Sequence, residues 1–178
     1  MTAADDLASA RAAISAALNA DASVWSLREE VDADRDFVQA LYASTRWDEL
    51  AAVAWPDDAK TAFLHDQSRL QGEHYRQHYP GAALCIVERD GAPVGRVYLY
   101  PSPGELRLMD VALLPQWRGQ GYGERMLRAL QSVASVQSRL ISLHVEPNNP
   151  AQRLYARLGF IAGEQRGVYQ YLSWTPVS

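Results

Sequence analysis

The stretch Leu113-Leu114-Pro115-Gln116-Trp117-Arg118-Gly119-Gln120-Gly121-Tyr122-Gly123-Glu124-Arg125-Met126-Leu127-Arg128-Ala129-Leu130 carries the pattern on which the reading of the chain turns. Glycine alternates with larger residues at 119, 121 and 123, and Met126, Leu127 and Leu130 follow at helical spacing. The pattern predicts a loop that runs directly into a helix N-terminus. Free amides at such a terminus, a favourable dipole and three positions without a Cβ make an anion cradle, to which Arg118 can add a charged contact. The expected guest is a pyrophosphate. A mononucleotide loop would need Lys followed by Ser or Thr after the last glycine, and a dinucleotide fingerprint would need a third glycine further on than Gly123; neither is present.

Working outward, the run Arg118-x-x-Gly121-x-Gly123 lies between Val111-Ala112-Leu113-Leu114-Pro115 and an amphipathic helix. In that setting it resembles the acyl-CoA loop of the GNAT superfamily of N-acyltransferases. A second run, Asn148-Asn149-Pro150-Ala151-Gln152-Arg153-Leu154-Tyr155-Ala156-Arg157-Leu158-Gly159-Phe160, is similar to the closing helix of the same family. Together the two runs cover roughly the C-terminal half.

The resemblance implies an α/β (α+β) fold. Its mixed, mostly antiparallel sheet would have six or seven strands flanked by about four main helices, with the cofactor entering between two splayed parallel strands. It implies acetyl transfer from acetyl-CoA to a primary amine by direct attack in a ternary complex, with no metal. It also implies that Val111, Ala112 and Leu113 pair with the pantetheine arm like an added strand. Arg118, Gly119, Gln120, Gly121, Tyr122, Gly123 and Glu124 would hold the phosphates, and Asn149, with Asn148 as its register rival, would touch the cofactor. Tyr155 matches the tyrosine that protonates the leaving thiolate. Some members carry a glutamate where His144 stands here, which makes His144 a candidate base, and Glu105 and Asp110 are the rival carboxylates.

The residues alone leave alternatives open at each of these places. Periodicity reads Tyr155 as packing beside Leu154 and Leu158, and Asn148 or Asn149 as a helix cap. His144 reads equally as a structural strand residue, with the amine deprotonated through water. A non-catalytic acyl-CoA sensor or scaffold is the competing class, and the acceptor is open between a small molecule and a peptide.

The 178 residues, 48% of them hydrophobic, suit one well-cored unit, read as a single domain over 23–178 behind an alanine-rich helical extension over 1–22. That extension has Leu7, Ile14 and Leu18 on one narrow stripe, and nothing in it chooses between docking, pairing in a homodimer and fraying. A net charge of −4 argues against nucleic acid or an anionic membrane as partner. No apolar run approaches the ~20 residues of a membrane span, and Asp5 and Asp6 stand where a signal peptide carries basic residues, so a cytoplasmic protein is expected. The single Cys85 allows no internal disulfide and falls in an apolar run that reads as a buried strand.

In chain order, strands are expected at Val24–Glu30, Ala82–Arg89, Pro93–Tyr100, Glu105–Leu113, Leu140–Val145 and Val168–Trp174. Strict alternation over Glu105–Leu113 puts Leu106, Leu108, Asp110 and Ala112 on one face. Helices are expected after Asp32 or Asp34, from Pro56 toward Tyr79, after the glycine loop, and from Pro150 to Leu158. The resemblance implies that the region of Trp47, Asp48, Glu49 and Trp55 helps wall the acceptor site, while the residues alone read equally as surface carboxylates and half-buried tryptophans. His74 and His78 share a helical face at a spacing that can bind metal, although without a second cluster it reads as a solvated face.

Overall fold

Asp90 and Gly91 turn the chain between β2 (Ala83–Arg89) and β3 (Ala92–Ser102), both at positive φ, 51° and 79°. That is the twist a two-residue hairpin requires, and Asp with Gly tolerates it best. The computed structural model describes residues 2–19 and 22–176, which form five α-helices and one seven-stranded sheet. The other strands are β1 (Trp25–Glu29), β4 (Glu105–Leu113), β5 (Leu140–Val145), β6 (Ile161–Arg166) and β7 (Tyr169–Trp174). The order is β1-β2-β3-β4-β5-β7-β6, antiparallel throughout except between β4 and β5. The strand missed in the sequence is β6, whose six residues are all exposed, so no face of it is marked by apolar residues.

The helices are α1 (Ala3–Leu18), α2 (Arg35–Arg46), α3 (Asp57–His78), α4 (Tyr122–Val136) and α5 (Gln152–Arg157). Helix α1 docks: Ala10, Ile14 and Leu18 are fully buried in one cluster with Trp25, Met126, Leu130 and Val133. Its start is fixed by a capping box between Thr2 and Asp5, and buried Asp6 lies 2.5 Å from Arg139 beyond the end of α4. The opposite sheet face is covered by α2 and α3, which pack on each other and reach Arg96 and Tyr98. Cys85 is buried on β2, and burial pushes its thiol up to about 11, far from nucleophilic at neutral pH.

Two irregularities around β4 shape the centre. Strands β4 and β5 pair only at Glu105 with Leu140, Leu106 with Ile141 and Arg107 with Ser142, and then part. On the other side, Tyr98 pairs with Asp110 but Leu99 with Leu108, so Met109 is an extra residue. The extra residue overturns the expected faces. Leu106 and Leu108 are buried in the α1–α4 core, whereas Asp110 leaves their face to meet Arg96 and the apolar role passes to Val111 and Leu113.

Candidate active site

Proline at 115 starts a single 3-10 turn, Pro115–Trp117, after which Gly119 and Gly121 take φ of 70° and 85° and deliver the chain into α4. A Cβ at either glycine would meet no steric obstacle, so the left-handed backbone is what selects glycine there. Among the described residues the amides of Gly119, Gln120, Gly121, Tyr122, Gly123 and Glu124 have no acceptor. Six free donors at the positive end of α4 can hold a pyrophosphate. Tyr122 is 7% exposed and packs on Trp25 with ring centroids 4.5 Å apart, anchoring the loop to the core. Glu124 binds Arg128 and Arg157, both at 2.8 Å, and hydrogen bonds from these two arginines hold its carboxyl below the usual range.

Arg118 does not reach into the loop as expected from its charge. Its Nε donates to the Leu113 carbonyl at 2.7 Å and its Nη2 to Ser44 Oγ at 2.8 Å, so it braces the end of β4 against the end of α2.

Beyond Arg107 the edge of β4 that faces β5 is unpaired, because β3 bonds only the other edge at Val111, Ala112 and Leu113. Tyr155 on α5 is close enough to β4 to feel the Asp110 charge but does not line the cavity described below. It is 6% exposed, packs edge-on to Phe160, and its hydroxyl has no partner among the described residues. Burial, with the nearby Asp110 charge, pushes its phenol up to about 12. Asn149 Oδ1 accepts from the Ala151 amide at 2.9 Å, the cap alternative for this residue, and its side chain also borders the cavity described next; Asn148 is exposed and does not.

A cavity of about 480 Å³ opens where the strands splay, lined by Leu108, Met109, Asp110, His144 and Val145, with Tyr75, Tyr79 and Tyr169 as aromatic wall. His144 is half-buried with its ring edge-on to Tyr171 at 5.3 Å. Burial pushes its imidazole down, Arg107 and Arg166 push it further, and Glu105 opposes them. His144 is therefore a neutral acceptor of protons at pH 7. Glu105 lies at the closed end of the splay, hydrogen-bonded by Ser142 and, at 3.2 Å, by Arg107, and does not line the cavity. Asp110 lines it but is committed to Arg96, which is 3% exposed.

Trp47 and Trp55 are not in the cavity wall; Trp55 is half-exposed against Phe63. The tyrosines found instead include Tyr75 on α3 and Tyr79, the residue that caps its C-terminal end, a spacing of four that could have been read beside His74 and His78. Those two imidazoles stack at 4.3 Å, and His74 borders the cavity. No helix of the described residues is long and apolar enough to cross a membrane.

The model of the Acetyltransferase (GNAT) family matches residues 43–160. A ribosomal protein bS18-alanine N-acetyltransferase of Bacillus subtilis is 32% identical over 92 residues, 51% of this chain and 61% of its own length. The mycothiol acetyltransferase of Thermobifida fusca is 32% identical over 117 residues, 64% of this chain. The chain thus spans less than two thirds of the first relative and 32% of the second. Among solved structures, the PaiA N-acetyltransferase of Thermoplasma acidophilum in complex with coenzyme A superposes with a TM-score of 0.61 at 13% identity, covering 85% of this chain and 98% of its own. Arabidopsis thaliana Naa50 in complex with a bisubstrate analogue gives 0.53 at 17% identity, covering 85% and 98%.

Proposed function

The chain belongs to the GNAT family of acetyltransferases, and from that premise we propose that it transfers an acetyl group from acetyl-CoA to a primary amine by direct attack within a ternary complex. One observation carries the reading: β4 and β5 part after three paired positions, so an open strand edge runs from the free amides of the glycine loop to the cavity that holds His144. Acetyl-CoA supplies the activated thioester carbonyl. The amides of Gly119 to Glu124 take its pyrophosphate, and the free edge at Val111, Ala112 and Leu113 takes the extended arm as a sheet takes a further strand.

His144, neutral at working pH, accepts the proton that the amine gives up as its nitrogen attacks, directly or through one water. Tyr155 keeps its own proton, because its phenol lies near 12, and donates a hydrogen bond to the departing sulfur. Full transfer of that proton to a thiolate of ordinary basicity, near 8.5, is uphill by roughly 3 to 4 units, so the hydrogen bond stabilises the sulfur until solvent supplies the proton. A C–N bond forms and the C–S bond breaks; one proton leaves the amine and one ends on the thiol. Proximity and orientation supply much of the rate, which is why few side chains are needed.

The test is release of free CoA thiol from acetyl-CoA with a panel of amines, amino acids and peptides, with Tyr155→Phe as control. Acceptor-dependent release that falls ~10²-fold or more in Tyr155→Phe, with acetyl-CoA binding retained, supports the reading. Acetyl-CoA binding with no release for any acceptor would instead favour a sensor.

A further inference from the structure

The charges on the cavity wall do not cancel. Arg46 lies 2.6 Å from Glu146, Asp110 is paired with buried Arg96, and Arg107 lies 3.2 Å from Glu105. Arg166, on the last position of β6, has no carboxylate partner among the described residues. Its guanidinium lies 5.0 Å from the centroid of the Tyr171 ring, and His144 sits edge-on to the same ring at 5.3 Å. One aromatic ring therefore carries the candidate base against it and the unmatched cation above it, and both line the cavity.

We infer that the acceptor is a small amine that also bears a carboxylate, of the amino-acid class, with its carboxylate paired to Arg166 and its amine directed at His144. The inference rests on the acetyltransferase reading of the same site. A guanidinium held over a ring keeps its planar N–H fork free for a carboxylate, the geometry in which arginine outperforms lysine. The cavity volume of about 480 Å³ lies in the range that encloses small molecules. The three tyrosines Tyr75, Tyr79 and Tyr169 offer apolar faces with polar edges to a side chain. The charge of Arg166 is felt at His144, so it also attracts a carboxylate placed beside the imidazole.

The experiment compares matched amines with and without the carboxylate: tyrosine against tyramine and tyrosinamide, and alanine against an alanyl peptide amide. Each is assayed by CoA thiol release in the wild type, Arg166→Gln and Arg166→Lys. The wild type is expected to favour the free amino acids by ~10-fold or more in kcat/KM. At a pH well above the His144 limb, Arg166→Gln should erase that preference by raising KM for the carboxylated amines alone, with kcat kept, and Arg166→Lys should restore part of it. Equal or better use of the decarboxylated amines, or of the peptide amide, overturns the inference, as does an equal loss on both kinds of amine in Arg166→Gln. Calorimetric titration of the same amines into protein saturated with CoA reads the carboxylate preference without turnover. A preference there without acetylation sinks the acetyltransferase reading and keeps the carboxylate site; acetylation without any preference does the reverse.

Discussion

Arg96 Nε donates to Asp110 Oδ2 at 2.5 Å across the β3–β4 pair, beneath the cavity floor. The contact exists because Met109 is skipped in the register, which turns Asp110 away from the apolar face of its strand. Arg96 also donates to Gln71 at 3.0 Å and lies over the Tyr98 ring, so it ties α3 to the sheet at the splay.

Asp110→Ala leaves the buried Arg96 guanidinium without its anion. The expected cost is ~3 kcal/mol, the low end for a broken buried pair because Asp110 is partly exposed. For a chain of this size that lowers Tm by roughly 6–12 °C in a thermal melt. The double variant Arg96→Leu with Asp110→Ala should recover part of that loss, because no charge is then stranded.

His144 gives a pH signature. On the proposed reading His144 acts as the base when neutral, and its imidazole lies below the ordinary 6.5, so kcat should rise with pH along a limb centred below 6.5. His144→Gln should remove the limb and lower kcat ~10²-fold. Arg166→Gln, by deleting one of the repelling cations, should move the limb upward. In the folded state this histidine binds its proton less readily than in the unfolded chain. Its contribution to stability is therefore intact above about 6.5 and is lost as pH falls toward the depressed value.

Gly95 pairs with Leu113, and a Cβ there would stand 2.4 Å from the Ala112 carbonyl and 2.7 Å from a Leu113 methyl. Gly95→Ala should push β4 outward at the edge assigned to the cofactor arm. The expected outcome is a loss of ~1–3 kcal/mol in denaturant unfolding and a several-fold rise in KM for acetyl-CoA.

Ile14 tests whether α1 belongs to the core. The side chain is fully buried, so Ile14→Ala should cost ~2–5 kcal/mol and be seen as a single cooperative unfolding transition at lower denaturant. A cost near zero would mean that α1 is peeled away in solution.

The glycine loop and the flanking elements were legible because their signals are local. Positive φ demands Gly119 and Gly121, and apolar spacing marks α4. Strands β5 and the Asp90-Gly91 hairpin fell close to their expected bounds for the same reason. The extra residue at Met109 was invisible, since alternation assumes two residues per pleat and only pairing with β3 reveals the skip. Strand β6 was invisible because none of its residues is buried. The docking of α1 was undecided because its apolar stripe is narrow and the faces it meets, α4 and β1, are set by tertiary structure. The cavity wall was legible in part. His144 came from its place before Val145 on β5, whereas Tyr75, Tyr79 and Tyr169 come from two distant elements, and Arg118 reads as a phosphate contact until Ser44 and the Leu113 carbonyl are seen beside it.

Incubating acetyl-CoA labelled in its acetyl carbon with the protein and the amine panel, and locating the label by mass spectrometry, follows the transferred group itself. The label is expected as an amide on the nitrogen of an acceptor, only when acceptor and acetyl-CoA are both present, and Tyr155→Phe is expected to abolish most of it. Label that stays on acetyl-CoA with every amine, or that accumulates on the protein before the acceptor is added, would contradict direct transfer in a ternary complex.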